Sequence, residues 1–174
     1  DTLSLHDALP ISTDGCVAFV LASGAWLGRH PQHRPMARIA AVASAIDSYR
    51  LDGERLGGLA LFDRTLEEVL QRSGRSADSS IDVLEVEAPT AWHDLAMEHH
   101  LAGRRVGALS PSGGAWAQNP LFCSGLVNAA EAVLQVAGRA GGVQVPGARY
   151  AIAHGGHGYA QQAHTFAAFE GAGA

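Results

Sequence analysis

Two histidines near the carboxyl terminus are the residues of this sequence best suited to proton transfer. His154 and His157 flank the pair Gly155 and Gly156 in the stretch AHGGHG. Imidazole exchanges protons near neutral pH, and glycine lets a ligand approach the backbone closely. The stretch is therefore typical of the polar lining of a pocket. Histidines on the surface, or histidines in the core with hydrogen-bond partners, are equally compatible with this sequence.

A carboxylate and an amide are further candidates. Glu87 is the only charged residue in the loop EAPTA, where it can act as a general base or as a salt-bridge partner. Asn119 lies before Pro120 in the stretch SPSGGAWAQNP; its amide carries no exchangeable charge but can donate a hydrogen bond to an oxyanion. Three residues of that stretch are candidates for substrate binding: Ser112, Gly113 and Gly114.

The elements that position these residues follow from hydrophobic periodicity and turn signals. Strands are predicted over 14–23, 81–86, 148–154 and 163–169. Helices are predicted over 56–71, 91–101 and 119–138, whereas 36–46 fits either a helix or a strand. Strands that alternate with helices imply an α/β fold in which a mixed β-sheet is layered with α-helices.

The helix predicted over 119–138 has the clearest pattern. Asn119 can cap it, and Pro120 occupies the favoured first position. Residues that recur at helical spacing predict its buried face: Phe122, Leu126, Ala129, Ala130, Val133 and Ala137.

Composition excludes several classes of function. A net charge of −5 leaves no basic stripe for nucleic acid, and no apolar run reaches the roughly 20 residues of a membrane span. Cys16 and Cys123, two isolated thiols, fit a reducing, cytoplasmic setting. A metal site is not expected, because His154, His157 and His164 have no Cys to complete a structural zinc site.

The first 11 residues, DTLSLHDALPI, back-translate into a common sequencing adapter. We therefore expect 1–11 to be an artefact and 12–174 to form one domain of a longer parent protein. The pair His6 and Asp7 is excluded from the candidate site for that reason.

Three stretches, in the right order, resemble the C-terminal half of thiolases. They are STDGCVAFVLAS at 12–23, DVLEVEAPTAW at 82–92 and SPSGGAWAQNPLFCSG at 110–125, and the stretch AHGGHG lies at the place of the family's C-terminal glycine loop. The resemblance is strongest to the sterol-carrier-protein-type and lipid-transfer-protein-type branch. It implies a missing N-terminal half that carries a nucleophilic Cys, homo-oligomers of the full-length form, and an acyl-CoA substrate without a permanently bound cofactor.

The sequence departs from that family at its catalytic positions. Asn119 stands where the family has its catalytic His, Glu87 stands for an Asn or His, and the glycine loop has no Cys. Retro-aldolase-like members of the lipid-transfer branch look like S-G-G-x-x-x-N-P at the same place. They resemble thiolases but cleave β-hydroxyacyl-CoA with Tyr residues and an OB-fold partner subunit, which makes Tyr159 a candidate.

The resemblance thus implies a fragment of a CoA-thioester enzyme that acts on carbon–carbon bonds of lipid- or steroid-type acyl chains, retro-aldolase-like or lipid-transfer-like. Two alternatives stay open: a non-catalytic scaffold that binds a partner subunit, and a standard acetyl-CoA acetyltransferase. The fragment alone is expected to be inactive.

Overall fold

Strands alternate with helices along the part of the chain that the computed structural model describes, residues 12–120, 122–158 and 160–172. The strands are β1 (Ala37–Ile46), β2 (Ile81–Glu85), β3 (Val106–Leu109), β4 (Tyr150–His157) and β5 (Ala163–Gly171). The helices are α1 (Gly24–Arg29), α2 (Gly53–Gly58), α3 (Ala60–Arg72), α4 (Ala91–Leu101), α5 (Gly114–Ala117) and α6 (Ser124–Val136). A short 3-10 turn spans Gly141–Val143.

The five strands form one mixed sheet in the order β1-β5-β4-β2-β3. The three strands β4, β2 and β3 are parallel to one another, whereas β5 is antiparallel to both β4 and β1. The carboxyl ends of β2, β3 and β4 therefore meet at one edge of the sheet, which is where ligands bind in open α/β sheets.

Helices cover both faces of the sheet, and each face has its own apolar core. On one face α3 and α4 pack against the sheet through a cluster that includes Phe62, Leu66, Met97, Ile152 and Phe166. On the other face α6 packs through Ala129, Ala132, Val136, Ala151 and Phe169. Successive residues of β4 alternate between the two faces, as a strand requires.

The predicted α/β class with a mixed, helix-layered sheet is confirmed. The helix predicted over 91–101 is α4, and the ambiguous stretch 36–46 is a strand because it pairs along its length with β5. The helix predicted over 56–71 is divided into α2 and α3 at Leu59, whose φ of 47° lies in the left-handed region.

The strand predicted over 14–23 was wrong. No strand among the described residues pairs with this segment, and its apolar side chains are exposed, Val20 to 99% and Leu21 to 74%. A strand requires a hydrogen-bonding partner as well as an apolar sequence. The backbone bond next to the segment is made by the residue before it, from Thr13 N to Asn119 O at 3.0 Å.

The start and the buried face of the helix predicted over 119–138 were also wrong. Phe122 has a φ of 66°, which interrupts a helix, so α6 begins after Cys123 and Asn119 does not cap it. Phe122 is fully exposed and Leu126 is 51% exposed. The buried face carries Val127, Asn128, Ala129, Ala132, Gln135 and Val136, of which only Ala129 was predicted. Hydrophobicity missed this face because two of its members are polar residues with internal hydrogen-bond partners.

Among the described residues, no helix has the length and apolarity needed to cross a bilayer.

Candidate functional site

The candidate residues lie at the edge where the three parallel strands end. Glu87 follows β2, Ser112 follows β3, and His154 to Gly156 form the last part of β4. Because β2 and β4 are in parallel register, with Glu85 opposite Ala153, the two strands deliver Glu87 and His154 side by side.

Glu87 joins β4 to the start of α6. Its Oε1 accepts a hydrogen bond of 2.7 Å from Ser124 Oγ, and its Oε2 accepts one of 2.9 Å from Gly156 N. Hydrogen bonds to a charged acceptor are stronger than those between neutral groups, and together these two fix the carboxylate in one orientation. No salt bridge to Glu87 is present among the described residues.

Two glycines make this arrangement possible. A Cβ added at Gly155 would lie 3.3 Å from the Cα of Gly125 and 3.6 Å from Glu87 Oε2. A Cβ at Gly125 would similarly lie 3.2 Å from the Cα of Gly155. A side chain at either position would therefore push β4 and α6 apart by a few tenths of an ångström, next to the Glu87 carboxylate.

His154 faces the opposite side of β4, where it is completely buried. Its Nδ1 accepts a 3.2 Å hydrogen bond from the backbone N–H of Glu87, so the ring proton of the neutral form lies on Nε2. His154 Nε2 lies 2.9 Å from His164 Nδ1 and therefore donates to it. The proton of His164 then lies on its Nε2, and the two imidazoles form a directed relay that starts at the Glu87 backbone.

The surroundings keep this relay uncharged. Burial, and next the neighbouring His164, hold the pKa of His154 well below its ordinary value. Burial lowers the pKa of His164 to about 4, and the nearby charge of His157 adds to this effect. Phe62 stands edge-on to both rings, 5.1 Å from the centroid of His154 and 5.7 Å from that of His164. Both histidines are accordingly neutral at physiological pH.

The relay ends at a small cavity of about 150 Å³ that His164 lines together with His93 and Trp92. Burial lowers the pKa of His93 as well, so a second imidazole of this cavity favours its neutral form. Arg55 and Gln161 also line the cavity, and each has a buried side-chain nitrogen without a partner among the described residues. The cavity can accept a polar group or ordered water.

Ser112 binds a different carboxylate from Glu87. Its Oγ donates a 2.7 Å hydrogen bond to Glu85 Oε2, and its N–H donates to Glu85 Oε1. Burial raises the pKa of Glu85 despite these two bonds. Gly113 and Gly114, with φ of 88° and 51°, turn the chain into α5 directly after Ser112. These three residues therefore shape the loop next to the Glu87 cluster without contacting its carboxylate.

The remaining candidates lie around this centre. Asn119 is buried, and its backbone bonds with Thr13, including a 3.0 Å bond from its N–H to Thr13 Oγ1. His157 is exposed at the end of β4. Tyr159 lies outside the described residues. The structure thus brings Glu87, His154, Gly155 and Gly156 together, with Asn119 and His157 outside their hydrogen-bond network.

Two partners in this network were not identified from the sequence. Ser124 was overlooked because the helix was predicted to start five residues too early, and His164 was considered only as a metal ligand. Treating β4 and β5 as a hairpin would have placed His154 close to His164, since Gly156 is opposite His164 in the ladder. Within the described residues no group of three or more His, Cys, Asp or Glu is arranged to hold a metal ion.

Comparison with known proteins finds a matching family model and a similar solved structure. A family model described as thiolase C-terminal domain-like matches residues 90–168, which include β3, α6, β4 and most of β5. The fold is similar to that of an acetyl-CoA acetyltransferase from Bacillus anthracis, with a TM-score of 0.60 and 18% sequence identity over 86% of this chain. The match covers 34% of that protein, so this chain corresponds to about a third of its length.

No curated protein matches the sequence. Residues 90–168 nevertheless resemble the C-terminal domain of thiolases in sequence, and the described part of the chain has a thiolase-like fold.

Proposed function

We propose that this domain is part of a CoA-thioester enzyme that makes or breaks a carbon–carbon bond in lipid- or steroid-type acyl chains. The observation that carries the proposal is the carboxylate of Glu87, fixed between Ser124 and Gly156 at the edge where the parallel strands end. A preorganised carboxylate beside glycine backbone is the arrangement that general-base chemistry on a bound substrate requires.

The chemistry that fits these residues best is aldol cleavage. Each oxygen of the Glu87 carboxylate accepts one bond from the protein and has a second lone pair for a substrate hydroxyl. Removal of the proton from the β-hydroxyl of a hydroxyacyl-CoA lets the bond between Cα and Cβ break. The hydroxyl carbon leaves as a carbonyl product, and the electron pair stays on the thioester as an enolate. Reprotonation of the enolate at Cα gives the shortened acyl-CoA, so atoms and charge balance.

Standard thiolysis fits these residues less well. That reaction needs a thiol nucleophile and an ionisable base. The glycine loop has no Cys, Asn119 cannot carry a proton, and His154 is held neutral by its burial. We therefore favour a retro-aldolase-like or lipid-transfer-like reaction over an acetyltransferase, with Tyr159 and Asn119 as further candidate groups. A cytoplasmic, homo-oligomeric parent with an OB-fold partner subunit is part of the same proposal.

The scaffold alternative is supported by the fact that both Glu87 oxygens already bind protein donors. A carboxylate in that state also serves simply to hold β4 against α6. An enzyme would cleave acyl-CoA after binding it, whereas a scaffold would bind acyl-CoA without turnover.

The test is turnover of a β-hydroxyacyl-CoA by the parent protein recovered from the intact locus, with and without its neighbouring OB-fold subunit. We expect cleavage, and we expect Glu87→Gln to slow it by about 10²-fold or more while acyl-CoA still binds. Glu54→Gln is the matched control, because Glu54 is 89% exposed on α2. Binding without turnover would establish the scaffold, and cleavage by residues 12–174 alone would contradict the need for a second half.

A further inference from the structure

A groove lies at the other end of the sheet from Glu87. This groove is open, has a volume of about 570 Å³, and lies between the start of β1, the end of α6 and the loop that leads into β4. Seven residue steps of β4 separate this end from His157, a distance of about 20 Å at the rise of a strand. The groove is therefore separate from the site described above.

Three arginines line the groove, and no acidic residue does. They are Arg34, Arg139 and Arg149, all exposed and none of them in an ion pair with another described residue. Five other arginines of the chain do form such pairs: Arg38, Arg50, Arg72, Arg75 and Arg104. In a chain of net charge −5, three unpaired guanidinium groups around one groove create a local positive field.

The loop that carries Arg139 is fixed by two glutamines. Buried Gln135 donates to Val143 O at 2.8 Å, and its Oε1 accepts from Val145 N at 2.8 Å. Gln144 donates to Gln135 O at 3.0 Å and accepts from Ala140 N at 3.0 Å. These bonds connect the end of α6 to the following loop, so the backbone of Arg139 is positioned before any ligand binds.

The other two arginines are anchored independently. The N–H of Arg149 donates to Asp82 Oδ2 at 2.8 Å, directly before β4. Arg34 precedes Pro35, which fixes the backbone at the entry to β1. A site whose backbone is already ordered loses less entropy when a ligand binds.

We propose that this groove binds a small molecule that carries a pyrophosphate group. The planar guanidinium forms two parallel hydrogen bonds to phosphate oxygens, and three such groups match a ligand of two or three negative charges. The volume lies within the range of small-molecule sites, and Pro35, Met36 and Ala148 supply an apolar wall for an attached organic group. The proposal does not depend on the reaction at Glu87.

Isothermal titration of the full chain with inorganic pyrophosphate tests the proposal. Each guanidinium contributes charge-assisted hydrogen bonds, so we expect Arg139→Gln or Arg149→Gln to weaken binding roughly tenfold and the double variant about a hundredfold. Arg64→Gln is the matched control, because Arg64 is exposed on α3 and lies outside the groove. Unchanged thermal melting of the variants shows that they fold.

Competition identifies the source of the pyrophosphate group. ADP and coenzyme A both carry this group. The one that displaces inorganic pyrophosphate at the lower concentration is the better ligand, and displacement by either supports the proposed binding site. Adenosine, which lacks phosphate, should not compete. No pyrophosphate binding by the unmodified chain at millimolar concentration, or equal binding by the double variant, would overturn the proposal.

Discussion

The two faces of β4 differ at its carboxyl end, although neighbouring residues form them. On the α3 face the His154 ring is fully buried against Phe62 and Phe166. On the α6 face Gly155 leaves room for the partly buried carboxylate of Glu87. One strand thus presents a dry imidazole to one side and a hydrogen-bonded carboxylate to the other.

This difference shows how the end of β4 keeps the imidazole of His154 apart from the carboxylate of Glu87. The imidazole is kept neutral because burial disfavours its charged form. The carboxylate is held by donors from a backbone N–H and a hydroxyl. The backbone of Glu87 links the faces, since its N–H donates to His154 while its side chain reaches α6. Each prediction below disturbs one face and leaves the other intact.

The largest effect is expected on the α3 face from Phe62→Ala. Phe62 is fully buried and touches both imidazoles and Phe166, so its removal leaves a cavity in the core. We expect the free energy of unfolding to fall by about 3–5 kcal/mol, measured by urea denaturation. Phe122→Ala is the control because Phe122 is fully exposed, and equal losses in the two variants would contradict the packing described.

Acid is expected to destabilise the same face. The pKa of His164 is about 4 in the folded protein against an ordinary value of 6.5, so the unfolded chain binds the proton first as the pH falls. The free energy of unfolding should therefore decrease between pH 6.5 and 4, by up to about 3 kcal/mol from this group. Urea denaturation at several pH values in this range gives the free energy of unfolding as a function of pH, and this dependence should be weaker for His164→Gln than for the unmodified chain. The same pH dependence in both proteins would show that His164 does not contribute.

On the α6 face the strongest change is Gly155→Ala. The new methyl group would lie 3.3 Å from the Cα of Gly125, and neither backbone can move without disturbing Glu87. We expect a loss of about 1–3 kcal/mol in the free energy of unfolding. Gly142→Ala is the matched control, because a Cβ there meets nothing within 4 Å. A tolerated Gly155→Ala would mean that β4 and α6 do not approach this closely in solution.

The smallest effect is expected from Glu87→Gln. The amide keeps one oxygen for Gly156 N, and the Ser124 hydroxyl can turn to accept from its NH₂ group. Unfolding should therefore become easier by only about 1 kcal/mol, since one charge-assisted bond becomes neutral. A loss above about 3 kcal/mol, compared with Glu54→Gln, would mean that the carboxylate is mainly structural.

The sequence predicted the layered α/β fold because its main elements bury a regular apolar face, as α3 does with Leu66, Val69 and Leu70. It failed where burial did not follow hydrophobicity. Asn128 is buried because its amide donates to His154 O at 2.9 Å, and the apolar segment 14–23 is exposed. The four-residue strand β3 was too short to show a period.

Glu87 and His154 were proposed as site residues from residue type and from the resemblance, which do not depend on how the elements pack. Their partners Ser124 and His164 depend on how α6 and β5 dock against β4, which periodicity does not specify. The arginine groove was not predicted either. Arg34, Arg139 and Arg149 are up to 115 positions apart, and only the fold brings them to one cavity.

The most direct test of the neutral relay is a pH titration of the ¹⁵N-labelled imidazoles by NMR. His154 should still be neutral at the pH where an ordinary histidine is half-protonated, with its proton on Nε2, because its Nδ1 accepts from Glu87 N and burial holds its pKa well below the ordinary value. Titration of His154 near pH 6.5, or a proton on its Nδ1, would contradict the difference between the two faces of β4.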